Sequence, residues 1–576
     1  MAETLLSPGV LARENDQSFL TAQPVQAGAA ILGPTVKGPT VPTVVTSYSQ
    51  YQNKFGTLVQ SGSDFYTYFT SIAAYNYFQN GGDSLLVGRV TNGTYTAASS
   101  SIIITGSGGP TSGLSPFVLE TLSKGTIMNT GTQELTGGAL ATGSSDNIRW
   151  EIVSPNTASG TFSLLIRKGD DTTNSKVVLE TWTNLSLDPK ASNYISRVIG
   201  DQTETIATDG STYYIQTSGS YNNASSYVRV KAVNFQTPNY FDNTGTAKAQ
   251  FTGSLPLASS GSFNGAAGTP FTQRDGKFYE NAGLTANADS QGVTGSDYTV
   301  MLNLLANPDE YSYNVISMPG LNRVSAASQI TSVVSNAQNR GDNIAVVDMV
   351  PYGTALGTVT TNALGMDTSY GATYWPWVQA ADPDSGNAVW VPASTLIPAV
   401  YAFNDNSTEA WFAPAGFNRG GLSTVVRAER KLTQGDRDSL YQGNVNPIAT
   451  FPNQGVVVFG QKTLQKKASA LDRVNVRRLL ITLKDYISQI ADTLVFEQNT
   501  IATRNSFLAQ VNPYLTSVQQ RQGLYAFKVI MDDSNNTADV IDRNELVGQI
   551  YLQPTKTAEF IYLDFNITPT GATFPA

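Results

Sequence analysis

Three observations predict a multidomain α+β / α/β protein with a β-rich inserted domain. The 576 residues are too many for one hydrophobic core, so several domains are expected. Helix-then-strand and strand–helix–strand patterns occur on both sides of a long Ser/Thr/Gly-rich region, as if one α/β layer were interrupted. From Trp411 onward, long periodic segments alternate with Gly and Pro breakers.

Taken in order, residues 1–22 form a short, mildly apolar segment with Leu5, Leu6, Val10 and Leu11 around Pro8-Gly9. Residues 23–91 read as the first part of an α/β domain. Ile31, Leu32, Val44 and Val45 mark strands between Gly-Pro turns. Phe65, Tyr68, Phe69, Ile72, Tyr75 and Phe78 recur at helical spacing, with Asp64 as the expected N-cap and Gly81-Gly82 as the stop. SLLVGRV follows as a buried strand. The aromatic stripe is core rather than a ligand box.

Residues 92–295 change texture. Short apolar runs, among them FVLETL, IRWEIV, FSLLIRK, KVVLETW, YYIQT and YVRVKAV, are separated by polar turns. Ile148, Trp150 and Ile152 alternate with Arg149 and Glu151, and Val228 and Val230 with Arg229 and Lys231, the period of half-buried strands. This region reads as one or two antiparallel β domains with an outward, weakly charged surface, suited to solvent or to carbohydrate.

Residues 296–405 return to α/β texture, with a helix expected to be capped at Ser296 or Asp297. NVISMPG, ASQITSVVSNAQNRG and NIAVVDMVP then form a βαβ unit, which should be parallel and right-handed. TYWPWVQAADPDSGNAVWVPAS reads as a hairpin. Residues 406–576 form the last domain. VVRAERKLTQGDRDSLYQ reads as a helix loosened at Gly435, and GVVVFG as a strand. Val476, Leu479, Leu480, Leu483, Ile487, Ile490 and Leu494 make a long helical stripe, and Arg473, Arg477 and Lys484 occupy another face of it. A second helix spans about 499–511 and stops before Pro513. LYAFKVIM, LVGQIYLQ and EFIYLDF are strands.

Composition narrows the function classes. Charged residues make up 14% of the chain, the net charge is −9 and there is no long Lys/Arg run, so direct nucleic-acid contact is not expected. Cys and His are both zero. That excludes Cys/His zinc sites, thiol nucleophiles and the Ser-His-Asp arrangement, and it excludes disulfides. The first residues lack the basic and apolar regions of a secretory signal. No apolar run approaches the roughly 20 residues of a membrane span, so a soluble chain is expected. The run Gly455–Thr463 places Gln461 where a phosphate loop needs Lys. Asp382-Pro383-Asp384-Ser385-Gly386-Asn387 places its Gly one position early for a calcium loop. No catalytic, cofactor or metal residue is assigned. A glycan-binding adhesin and an α/β enzyme stand as readings from other classes.

The ordered set Ala413-Pro414-Ala415-Gly416, Asn418-Arg419-Gly420, Arg437-Asp438 with Leu440-Tyr441, Asn446-Pro447, Asp472-Arg473 with Asn475-Val476-Arg477-Arg478-Leu479, Asn535-Asn536-Thr537 and Val540–Glu545 resembles the C-terminal region of tail sheath proteins of contractile-tailed bacteriophages. Leu5–Val10 resembles that family's N-terminal arm. The resemblance implies a sheath core built from N- and C-terminal parts. It implies a structural, non-enzymatic subunit of a virion tail, assembled in the host cytoplasm without cofactors. Its partners would be copies of itself in a helical sheath of stacked rings, a tail tube protein, and baseplate and tail-terminator proteins, with no direct nucleic-acid contact and no membrane insertion. The sheath of a related contractile injection system is the neighbouring alternative. On this reading two arms exchange strands between subunits: Leu5, Leu6, Val10 and Leu11 at one end, and Phe560, Ile561, Tyr562, Leu563 and Phe565 at the other. Gln553-Pro554-Thr555 and the segment after Arg13 serve as flexible links. Arg473, Arg477 and Lys484 are the expected tube-facing residues.

Overall fold

A computed structural model describes residues 25–61, 64–106, 114–131, 134–210, 212–270 and 291–562. Its centre is a six-stranded sheet in the order Gly371–Ala372, Ile344–Asp348, Val315–Asn322, Ala29–Gly33, Leu85–Arg89 and Thr43–Val45. All neighbours are parallel except the last pair. Residues before and after the Ser/Thr-rich region therefore build one sheet. Every residue of its four inner strands is buried, as both faces of a parallel sheet should be.

Alternate residues of these strands enter two cores. Ile31, Val87, Val315, Ile344 and Val346 pack with the helices Phe69–Gln79 and Ile397–Ser407. Ala30, Leu32, Leu86, Ile316, Ala345 and Val347 pack with Thr299–Leu304 and Ala327–Arg340. The strand Val315–Asn322, the helix Ala327–Arg340 and the strand Ile344–Asp348 form the βαβ unit, closed at Gly341 in the left-handed conformation.

Four local expectations change. The aromatic helix starts at Phe69, because Asp64–Thr67 pairs as a hairpin with Leu58–Ser61. Phe65, Tyr66 and Thr67 are strand formers, so Asp64 is no helix cap. The helix near 296 begins instead with a capping box between Thr294 and Asp297. Val425–Ala428 is a strand rather than the start of a helix; Thr433 and Asp436 cap a separate helix, Gln434–Gln442. The second long helix runs Ile501–Gln520 with Pro513 inside it. Phe507, Val511, Leu515 and Val518 are buried along one stripe. Continuing past Pro513 costs about 3 kcal/mol, which burial of Leu515 and Val518, each worth about 1.5–3 kcal/mol, offsets.

Within 92–295, two four-stranded antiparallel sheets share one core around Trp150, Phe117, Phe162 and Phe263. Arg149 is buried rather than solvent-facing. The loop around Glu134–Leu140 covers its side of the strand, with Glu134 3.0 Å away and the Gly138 carbonyl accepting from Nη1. A separate hairpin, Thr203–Asp209 with Thr212–Ser218, reaches back to the α/β layer and packs Ile206, Tyr213 and Ile215 on its core. At the junction, the buried Arg89 donates to the carbonyls of Gly38 and Lys124. Lys37 Nζ donates to the Asp146 carbonyl at 2.7 Å.

The last domain packs Val474–Asp492 against Ile501–Gln520, covered by the hairpin Leu524–Ile530 with Gln549–Pro554. Trp411 joins this core, and its indole donates to the Arg521 carbonyl at 3.0 Å. The strand Asn446–Phe451 pairs with Tyr374–Trp375 on one side and with Gly455–Val458 on the other. Residues after 406 therefore complete the middle domain before the last domain begins.

Two measurements check this architecture. Trp150→Ala should destabilise the β insertion by about 3–5 kcal/mol. Calorimetry should then show one transition lowered and another unmoved, since separate cores need not unfold together; one common shift would mean that the cores are not independent. Asp348 supplies the second. It is buried at the end of a central strand and accepts from the backbone N–H and hydroxyl of Ser394. Burial raises its pKa to about 7, against the lowering effect of those hydrogen bonds. The folded state thus holds the proton more tightly than the unfolded state. The contribution of Asp348 to stability is fully present below about pH 4 and is lost as pH rises through about 7, by up to about 4 kcal/mol. Asp348→Asn should flatten that slope in urea melts between pH 4 and 8, and an unchanged slope would count against the assignment.

Candidate assembly interface

The carboxyl end of the described chain combines a tether with an unfinished sheet. After Pro554 the chain leaves its strand and is caught at three points. Thr555 Oγ1 donates to the Gln522 carbonyl at 2.6 Å. Thr557 Oγ1 accepts from Gln461 Nε2 at 2.6 Å. The Glu559 carboxylate accepts from Arg473 Nε at 2.8 Å, Tyr441 OH at 2.7 Å and Gln461 Nε2 at 3.0 Å.

Each donor is positioned by the fold. Arg473 is the N-cap residue of the long helix. Tyr441 lies in the capped helix Gln434–Gln442, and Gln461 follows the strand Gly455–Val458 closely. Burial, and then the hydrogen bond to Glu559, raise the Tyr441 phenol well above its usual range. Burial opposes the Arg473 charge most strongly, but the Glu559 hydrogen bond and the neighbouring Tyr441, Glu559 and Asp472 together outweigh it, and the pKa rises. Charge-assisted bonds of this kind are the strong ones.

Immediately beyond the clasp, Phe560, Ile561 and Tyr562 are 68%, 75% and 88% exposed and belong to no strand. The strand expected for EFIYLDF is thus not formed over 559–562. A strand needs a neighbouring ladder, and nothing in the described subunit offers these residues one. Leu563 and Phe565 lie outside the described residues, as do Leu5, Leu6, Val10 and Leu11. The expected link Gln553-Pro554-Thr555 is not slack: Pro554 ends a strand and Thr555 is tied to Gln522 and Gly523.

The hairpin Leu524–Ile530 with Gln549–Pro554 is a sheet of only two strands. Leu524, Phe527, Val529, Ile550 and Leu552 pack on the two long helices, while Tyr525 and Tyr551 face solvent. Each strand keeps an outer edge without a strand partner among the described residues.

The three cations expected on one exposed face separate. Arg473 holds Glu559. Arg477 is buried, stacked on Tyr370 with 4.0 Å to the ring centroid, and it donates to Ser369. Its position is inward because Ser369 and Tyr370, just before the strand Gly371–Ala372, lie against its guanidinium. Lys484 is exposed. The neighbouring Arg478, unremarked by spacing, is buried on Tyr401 and paired with Asp405. Of the residues that complete the clasp, Tyr441 stands in a motif that carries the resemblance but with no role assigned to it, and Gln461 carries no signal of its own. Gln461 is noticed only as the residue that spoils a phosphate loop; Gly455–Val458 there is a paired strand. The 382–387 segment is the tip of the hairpin Val378–Ala381 with Ala388–Val391, its Asp384 bonded to Tyr48 and Gln52. Among the described residues no group of three or more His, Cys, Asp or Glu is placed to hold a metal ion, and no helix is long and apolar enough to cross a membrane.

Comparisons with known proteins bear on the same region. A family model for the phage tail sheath protein central domain matches residues 291–464, and one for the phage tail sheath C-terminal domain matches residues 466–568. The tail sheath protein of Vibrio phage KVP40 is 40% identical over 218 residues, 38% of this chain and 32% of that protein. The tail sheath protein of Enterobacteria phage T4 is 36% identical over 230 residues, 40% of this chain and 35% of that protein. The matched stretch thus spans about a third of the length of these curated relatives. The crystal structure of a sheath tail protein from Listeria innocua aligns over 93% of this chain and 96% of its own, with a TM-score of 0.51 at 12% identity, a likeness of fold.

The clasp makes a direct prediction. Glu559→Ala removes a carboxylate whose hydrogen bonds to charged or polar donors are worth about 1.5–3 kcal/mol. Hydrogen exchange over 555–562 should speed up by roughly tenfold to a hundredfold, with the 524–554 hairpin unchanged. Equal exchange in the variant would show that Glu559 does not hold the segment.

Proposed function

We propose that this chain, whose residues 291–464 and 466–568 match the models for the phage tail sheath central and C-terminal domains, is the structural subunit of a contractile tail sheath. Copies polymerise helically around a tail tube, wait in a metastable extended state, and shorten to drive the tube through the host envelope for genome delivery. The work comes from the difference between two packings of the same subunits, a bistable arrangement, with no nucleotide or metal required. Assembly takes place in the host cytoplasm, and baseplate and terminator proteins bound the polymer.

One observation carries this reading. Among the described residues the two-stranded sheet has open edges, and an exposed apolar segment leaves the same domain from a fixed point at Glu559. Open edges and unpaired apolar strands favour pairing with another chain. Donation of Phe560–Phe565 to a neighbour's hairpin satisfies both, as in strand addition generally. Leu5–Leu11 enters a second neighbour at the other edge. Each arm adds about four to six backbone hydrogen bonds, each worth about 0.5–1.5 kcal/mol net. Lys484 is the one of the three expected cations that presents an exposed charge, and it is the tube-facing residue of the set. A single exposed ion pair contributes only about 0.2–1 kcal/mol, so this contact matters through repetition along the array.

Truncation tests the exchange. A chain lacking residues 1–13, and one ending at Thr557, should each be soluble and folded by circular dichroism and calorimetry yet stay monomeric in sedimentation and electron microscopy. Normal cylinders from either truncation would sink the proposal.

A further inference from the structure

The seam between the middle domain and the β insertion holds more positive charge than its carboxylates neutralise. Arg89, at the end of a central strand, is buried there. Its Nη1 donates to the carbonyls of Gly38 and Lys124, and its guanidinium lies 4.8 Å from the Tyr95 ring centroid. Nε and Nη2 have no acceptor among the described residues. No carboxylate compensates the charge, and burial pulls the pKa down to about 10. Lys124 Nζ donates to the neutral Thr40 Oγ1 at 2.9 Å and to no carboxylate among the described residues. Lys54 is joined to the same strand by Ser123 Oγ, which donates to its carbonyl at 3.4 Å, while its ammonium group has no partner among the described residues. Burial is the leading cause that lowers both lysine pKa values. Buried charge is normally paired, so three such cations in one seam call for an anion.

These lysines line a cleft of about 390 Å³, within the size range of small-molecule sites. Two carboxylates also line it, and neither supplies the missing charge. Glu120 is held by Arg229 and by Lys231, the latter at 2.8 Å, and it acts on Lys124 only through space. Glu204 is exposed. Half of the lining residues are Ser, Thr, Asn or Gln, side chains that both donate and accept. Such a wall suits a ligand rich in hydroxyl groups. Segments 39–43, 120–124, 202–204 and 222–226 surround the cleft from several sides, which suits a compact ligand better than an extended peptide.

We propose that this cleft binds an acidic sugar unit, a monosaccharide carrying a carboxylate or a phosphate. Lys54 and Lys124 hold the anionic group, and Thr40, Gln202, Asn222 and Ser226 meet the sugar hydroxyls. Arg89 is not part of the wall and contributes through its field, which is strong where water is excluded. Thr40 and Lys54 belong to the middle domain and the other contacts to the insertion, so the ligand bridges the two. The site does not depend on polymerisation, and its failure leaves the sheath reading in place.

Titration calorimetry on the full chain at low salt tests the site. Galacturonate and glucose 6-phosphate should bind, and glucose should not. Lys54→Met and Lys124→Met should each weaken binding by roughly tenfold, the loss of one charge-assisted bond, whereas Lys54→Arg and Lys124→Arg should retain it. Where a Met variant loses its fold, salt decides for the wild type: a ligand held by charge is released as ionic strength rises, and indifference to salt overturns the proposal. No binding of either acidic sugar, or equal binding of glucose, also overturns it. Inorganic phosphate bound without either sugar overturns the sugar assignment, and so does a tetraglutamate peptide bound more tightly than both. Tetragalacturonate bound as tightly as galacturonate supports the site and places the unit at the end of a polysaccharide; its exclusion supports the site for a free sugar.

Discussion

Backbone hydrogen-bonding capacity at the edges of a two-stranded sheet is the constraint on which the rest depends. A hairpin alone is marginal in water. This one persists because Phe527, Val529, Ile550 and Leu552 lie on two long helices, yet that packing satisfies one face, and among the described residues both edges are open. The subunit tolerates open edges where a solitary globular protein would cover them or charge them. Tyr525 and Tyr551 on the outer face further mark a surface that is not designed for water alone. The clasp at Glu559 belongs to the same logic. It fixes where the exposed segment leaves the domain, which lowers the entropy cost of presenting it to another chain.

The helix Val474–Asp492 joins the domains through three successive uses of arginine. Arg473 binds the departing segment, Arg477 stacks on Tyr370 of the middle domain, and Arg478 stacks on Tyr401 and pairs with Asp405. Asn475 adds a bond to the Trp411 carbonyl at 3.2 Å. Lysine would not replace these residues, since a planar guanidinium can stack on a ring and donate in its own plane at once. Removing one partner of such a buried pair leaves a charge without compensation, a costly outcome. The middle and last domains are therefore coupled along a full helical turn, and the β insertion is fixed in turn by Arg89, Lys37 and the hairpin carrying Tyr213.

Much of this architecture is legible in the sequence because periodicity reports burial. The inner strands, the βαβ unit and the stripe from Val476 to Ile490 follow from apolar spacing alone. The failures have physical causes. Pro513 reads as a stop, but tertiary burial of Leu515 and Val518 overrides the local penalty. Arg149 reads as solvent-facing by alternation, but a distant loop covers it, and alternation carries no information about what another segment lays over a face. Arg473, Arg477 and Lys484 share a helical spacing, but spacing does not reveal which side another domain occupies. The clasp is the least legible feature. Tyr441, Gln461, Arg473 and Glu559 are separated by up to 118 positions, and no local pattern announces their convergence. Phe560–Tyr562 has the composition of a strand and no strand partner among the described residues, so its propensity can be read while its pairing cannot.

The position of the clasp decides where compliance between copies can reside. A rearrangement that keeps subunits joined needs a segment that bends while its ends stay bound. The domains are braced against each other by the arginine series, so bending within the globular part would break buried charge pairs and expose packed surface. The stretch 553–559 is also unsuitable, because Pro554 ends a strand and Thr555, Thr557 and Glu559 are each tied to the domain. On the donor side, the pivot of the proposed strand exchange therefore falls at the junction of Glu559 and Phe560, where the donated strand begins. A pivot that short permits a change of direction and little change of separation. Neighbouring copies linked this way can rotate about one another but cannot drift apart, so two packings can interconvert without passing through dissociated subunits.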